Sequence, residues 1–257
     1  MTLKQVMAQL EKLGTELYRK VLPRHGIEQP FFGVKYADLY KLQKQLAGEH
    51  ELALELWQTG NHDARILATL IVDAAALGSR QLDGWIRDTE NRVLMEAVAG
   101  VVARSAHGRK KADLWLKTKA EWKCAAGWSI VAHLAAEDPG VPDAWFADKL
   151  TLLETGIDNA PNFARHTMNQ ALIAIGSYRA ALRADVFEAA KRLGKIDVDH
   201  GGTSCKTPDA IPYIKKVVAR LKSKKKTATP RKPAALTTTS RKKRKAVRKA
   251  ASSRRAR

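Results

Sequence analysis

The chain holds two cysteines, Cys124 and Cys205, in 257 residues. Two cysteines make neither a disulfide framework nor a zinc site, and a reducing compartment is the simplest reading. No apolar run approaches the roughly 18 residues that span a bilayer. The opening MTLKQVMAQLEKL is amphipathic and charged, and it lacks the apolar core of a signal peptide. These absences predict a soluble, intracellular protein. Strand alternation is scarce, and KIDVD (195–199) is its one short instance. From Leu221 to Arg257 there is no acid and no aromatic residue.

That last segment carries 16 of the 46 lysines and arginines. The remaining 30 face 26 acids, so the net charge of +20 sits mostly in the tail. Residues 221–257 have too little apolar surface to offset the entropy of ordering, and a disordered basic tail is expected. The blocks KSKKK (222–226) and RKKRKAVRK (241–249) are predicted to repel and stay extended. Their chemistry suits a phosphate backbone, because each phosphate neutralised by Lys or Arg releases counterions. The contacts expected are Lys224, Lys225, Lys226, Arg241, Lys242, Lys243, Arg244 and Lys245. A targeting or solubility role is the alternative.

Residues 1–220 read as one all-α body. Val6, Leu10, Leu13 and Leu17 recur at helical steps and predict a helix of about 20 residues, closed by Pro23 and Gly26. Asn61 or Asp63 caps a helix over 64–76, and Asn91 caps another that buries Leu94, Val98, Val101 and Val102. Two more are expected over 122–136 and 162–175, the second stopped by Gly176. Shorter helices fall near 79–88, 110–118, 142–154 and 179–193. Strong starts near 62, 91, 122 and 162 give the cadence of HEAT-like helical pairs, a repeat solenoid. A non-repeating bundle is the alternative.

Within the body, the densest basic stretch runs from Arg104 to Lys123, with Trp115 and Trp122 interleaved. Arg109, Lys110, Lys111, Lys119 and Lys123 are its candidate phosphate contacts. Arg65 can reach a phosphate or a neighbouring carboxylate. Asp197, Asp199, His200, Cys205 and Lys206 crowd into ten residues but fit no metal spacing. There Gly201-Gly202 and Lys206 can hold an anion, or the segment is a turn before a helix capped at Thr207-Pro208-Asp209.

Four segments resemble the AlkD-like DNA alkylation repair family: residues 31–46, 52–73, 160–176 and 195–216. The most specific are APNFARHTMNQALIAIG and KIDVDHGGTSCKTPDAIPYIKK. The resemblance implies a HEAT-like fold that cradles duplex DNA. It also implies glycosylase chemistry on N3- and N7-alkylpurines, gripped through the backbone. There an Asp carboxylate steadies an oxocarbenium-like sugar, two Trp rings flank the deoxyribose, and arginines hold phosphates. The matching positions here are altered. Arg92 stands where a Trp is expected, Glu96 where the Asp is expected, and Gln170 at the second Trp. Ile173 and Ala125 replace the arginines.

Glu96 is therefore the candidate catalytic residue, with a helix-surface pair to Arg92 as the alternative. Arg92 joins the DNA-binding candidates, as does Lys206. The expected protein is a monomer that binds duplex DNA, uses no metal or other cofactor, and is cytoplasmic and nucleoid-associated, or nuclear in a eukaryote. Retained glycosylase activity and a protein-interaction scaffold are the alternatives.

Overall fold

The computed structural model describes residues 1–227, with side chains to Lys224. Among the described residues the structure is helices and connecting turns, with no strand; KIDVD is irregular. Residues 1–218 form one compact unit. No helix among the described residues is long and apolar enough to cross a membrane.

The expected first helix is two. α1 (Leu3–Leu13) begins with a Thr2–Gln5 capping box, and α2 (Glu16–Val21) follows a break at Gly14-Thr15. The break exists because Thr15 serves two partners. Its N–H donates to Gly33 O (2.9 Å), and its hydroxyl accepts from Tyr18 N–H, capping α2.

From α3 (Tyr36–Gln45) onward the helices alternate between two layers. α4 (His50–Gln58), α6 (Ser79–Arg87), α8 (Gly108–Trp115), α10 (Asp143–Gly156) and α12 (Arg183–Leu193) form one layer. α5 (His62–Ile71), α7 (Arg92–Arg104), α9 (Glu121–Glu137) and α11 (Asn162–Tyr178) pack side by side as the other. This is a HEAT-like repeat array. α9 is buried almost all round from Cys124 to Val131 because α7, α8 and α11 enclose it.

The first layer is tied together by a side-chain ladder. Asp83-Gly84-Trp85, Asp113-Leu114-Trp115 and Asp143-Ala144-Trp145 repeat the same Asp-x-Trp unit along α6, α8 and α10. Trp115 Nε1–H donates to Asp83 (3.0 Å), and Trp145 Nε1–H donates to Asp113 (3.2 Å). Lys111 and Lys149 pair with the same two carboxylates at 2.6 and 2.5 Å. Burial works to raise the Asp83 pKa, but hydrogen bonds from Lys111 and Trp115 win and hold it low. Each Asp thus joins one repeat to the next. The last rung changes partner: Asp143 meets Arg179 at 3.6 Å. The Arg179 guanidinium also donates to the carbonyls of Leu134, Ala135, Asp138 and Val141, satisfying the C-terminal end of α9.

Gly176 does not stop α11, which runs on to Tyr178. It is a packing glycine: a Cβ there would lie 2.7 Å from Ile214 Cδ1 and 2.8 Å from Val186 Cγ1. Ile214 belongs to α13 (Ala210–Thr227), so the small residue lets α12 and α13 close on α11. α13 is capped by Asp209, whose Oδ1 accepts from Ile211 N–H, rather than by Thr207. Its final turns include the block KSKKK (222–226), for which the charge pattern predicts an extended chain. Lysine is a good helix former, and cations at a helix C-terminus are favoured by the dipole. Residues 228–257, with the Arg241–Lys245 candidates, lie outside the described residues.

Candidate functional site

Asn91 caps α7 by accepting from Leu94 N–H (2.9 Å). The next residue, Arg92, and Glu96 one turn on face the same way. Arg92 NH1 lies 3.9 Å from Glu96 Oε1, so the expected pair forms, though loosely. Arg92 also donates to Nε2 of His166 on α11 (3.2 Å). Gln170, one turn along α11, donates to the same nitrogen (3.2 Å). Arg92 and Glu96 therefore meet Gln170, some seventy residues further on, around a histidine that the sequence pattern alone does not mark.

His166 is 6% exposed. Two donors on Nε2 require the neutral ring with its proton on Nδ1, and that Nδ1 is buried without a partner. Burial first, then the Arg92 charge and His200, lowers its pKa to about 4. His200 meets it edge to face, with centroids 5.4 Å apart. The cluster thus sets the Arg92 cation and the Glu96 carboxyl group beside an imidazole that is neutral at pH 7.

Glu96 Oε1 is buried and has no hydrogen-bond partner. Burial raises the Glu96 pKa against the opposing pull of Arg92, Gln170 and His133. The carboxylate lines a cavity of about 260 Å³ with Ser129, His133 and Gln170. Tyr36, at the start of α3, is electrostatically coupled to it. Burial, then Tyr40, Glu96 and Asp63, pushes the Tyr36 hydroxyl up to about 12.

Arg92 faces a second cavity of about 260 Å³. Trp122 at the first turn of α9 stacks on Phe163 at the first turn of α11, with centroids 4.9 Å apart. His200 and Arg24 complete its polar rim. The loop carrying His200 is held by Asn162, which donates to Asp199 O (2.7 Å) and accepts from Asp199 N–H (2.8 Å). Asp199 Oδ1 takes the Gly201 N–H, so this turn has less to offer an anion than its glycines suggest. Lys206 is exposed nearby in sequence.

The other expected contacts divide. Lys110, Lys119 and Arg109 are exposed, with Arg109 reaching toward the Trp145 ring. Lys111 is a correction: it is 3% exposed and engaged by Asp83, so it is a strut of the ladder rather than a phosphate contact. Lys123 also leans on Asp83, at 3.9 Å. Arg65 is occupied too. It lies over the Trp57 ring and donates to the carbonyls of Trp57 and Asp88. Ala125 and Ile173 are buried, so neither position presents a group to a ligand. Lys224, Lys225 and Lys226 fall on α13.

A profile of the DNA alkylation repair enzyme family matches residues 6–214. The chain belongs to that family. An uncharacterised protein of Listeria innocua is 30% identical over 227 residues, spanning 86% of this chain and 99% of its own length. Another, from Listeria monocytogenes, is 28% identical over 228 residues with the same coverage. A solved structure superposes with a TM-score of 0.79 at 29% identity, covering 86% of this chain and 95% of the other. It is described as one of a new family of proteins related to the HEAT-like repeat DNA glycosylases, with affinity for branched DNA structures.

Two further features of the structure are legible in the sequence. His166 and Gln170 stand at helical spacing in ARHTMNQAL, and the Asp-x-Trp unit recurs at a fixed step of 30 residues.

Proposed function

We propose that this protein binds DNA, branched DNA in preference to plain duplex, and that the α7–α9–α11 layer is its recognition surface. The observation that carries the binding reading is Arg92 at the centre of the site, 3.9 Å from Glu96 and bonded to His166. Stabilising an oxocarbenium-like sugar needs a net negative field. With Arg92 beside it and a neutral imidazole behind, Glu96 supplies little net field beyond its immediate neighbours. The cation instead suits a phosphate. The preference for branched DNA is carried over from the superposed relative.

The exposed Lys110 and Lys119 and the basic segment after residue 227 would add sequence-blind affinity, with a salt slope of about −0.9 per phosphate contact. A chain ending after residue 227 leaves α13 whole. It is expected to keep junction binding at low salt and to show a shallower salt dependence than the full chain. Loss of all binding on that truncation would assign the affinity to the tail alone.

A second reading, excision of alkylated purines by Glu96, is favoured by one observation: Glu96 lines a cavity with Ser129, His133 and Gln170, and its Oε1 has no hydrogen-bond partner. Base release from duplex containing N7-methylguanine separates the two. The binding reading expects none at enzyme excess. Release abolished by Glu96→Gln would establish the second.

A further inference from the structure

We propose that the cavity beside Trp122 takes one unpaired nucleotide from the branch point of a DNA junction, its base on the aromatic wall and its phosphate among the cations. The inference rests on the DNA-binding reading above and assigns a ligand class to the second cavity, which borders the Glu96 cluster at Arg92. The cavity is about 260 Å³, just below the roughly 300 Å³ where small-ligand pockets begin. That admits a base with its sugar and excludes a duplex.

The walls match the two halves of a nucleotide. Trp122 and Phe163 are half-buried, stacked with 25° between their planes, and both line the cavity as its apolar wall. Every base has a π-face, so such a surface accepts bases without regard to sequence. The cavity is also lined by Arg24, exposed on the 3-10 turn Leu22–His25, by Arg92 from α7, and by His200 from the 195–209 loop. These three arise from separate segments and face one space. Glu90 is the carboxylate in the lining, and it suits the exocyclic amine of a base better than a phosphate.

A paired duplex keeps both faces of its bases stacked. Only a nucleotide freed at a fork or junction offers a face without the cost of extrusion. The cavity thus supplies a physical reason for a branched-DNA preference that backbone contacts alone do not give.

The test uses the full chain and a three-way junction with one unpaired nucleotide at the branch, replaced by 2-aminopurine, beside a duplex of the same sequence. Stacking on Trp122 is expected to quench the probe in the bound junction. Trp122→Ala is expected to weaken junction binding about tenfold while duplex binding changes less than about twofold. Arg24→Gln, at an exposed position outside the core, is expected to lower junction affinity several-fold, and it decides the matter if Trp122→Ala fails to fold. A probe that stays bright in the bound junction overturns the proposal. So do variants that weaken junction and duplex equally, or variants that weaken neither. Equal wild-type affinity for junction and duplex overturns the pocket while leaving DNA binding intact. No wild-type binding to either overturns the DNA-binding reading itself.

Discussion

Asp63 is 2% exposed and accepts three backbone N–H groups, from Phe32 (2.6 Å), Gly33 (2.9 Å) and Val34 (3.0 Å). The carboxylate on α5 is what fixes residues 31–34 and thereby the entry of α3. Asp63→Ala would orphan those donors. Phe32 is bonded in only partly buried surroundings, so its donor is counted least. Gly33 and Val34 are bonded in buried surroundings, and each orphaned donor costs about 1–3 kcal/mol. The expected loss is about 4 kcal/mol. For a unit of this size that corresponds to a fall of roughly 10–15 °C in the melting temperature. Asp63→Asn keeps one acceptor oxygen and should lose about half as much. Thermal unfolding by circular dichroism measures the loss, and amide exchange reports Gly33 and Val34 directly. A loss under about 1 kcal/mol for Asp63→Ala, or unprotected amides in the parent protein, would refute the reasoning.

His166 gives a pH prediction. Its pKa is lowered from 6.5 to about 4, so the folded state resists protonation and the stability is present above about pH 6.5 and lost as pH falls toward 4. The shift corresponds to about 3 kcal/mol. In His166→Gln the drop in unfolding free energy between pH 7 and pH 4 should shrink by about that amount; an unchanged pH dependence contradicts the neutral, buried ring. His62, also lowered by burial, is common to both proteins and cancels in the difference. In the ladder, Asp113→Ala would strand Lys149, which is 13% exposed, and remove the partner of Trp145. A loss of about 2 kcal/mol is expected by denaturant titration, with adding Lys149→Met restoring at least half. No recovery in the double variant would argue against a stranded cation.

Much of the fold follows from local pattern. Leu94, Val98, Val101 and Val102 recur at helical spacing, and each is buried where that spacing puts it. Errors arise where a residue answers to a distant partner. Gly176 carries the local sign of a helix stop, yet its role is set by Val186 and Ile214. Asp63 carries the sign of a cap, yet its oxygens go to residues some thirty positions earlier. The candidate site divides the same way. Arg92 with Glu96 is a one-turn pair and readable from spacing. The neutral state of His166 depends on Arg92, 74 positions away, and on burial by other helices, which no local window contains. Lys111 is basic in sequence and structural in place, because Asp83 lies across the repeat junction.

The most direct test of the account compares junction binding and base release for the full chain, Arg92→Ala and Glu96→Gln. If Arg92 marks a binding centre, Arg92→Ala lowers junction affinity about tenfold and flattens the salt slope by about one contact. Glu96→Gln then binds at least as tightly as the parent, and none of the three releases N7-methylguanine. Base release that disappears in Glu96→Gln, with Arg92→Ala still binding normally, would contradict it.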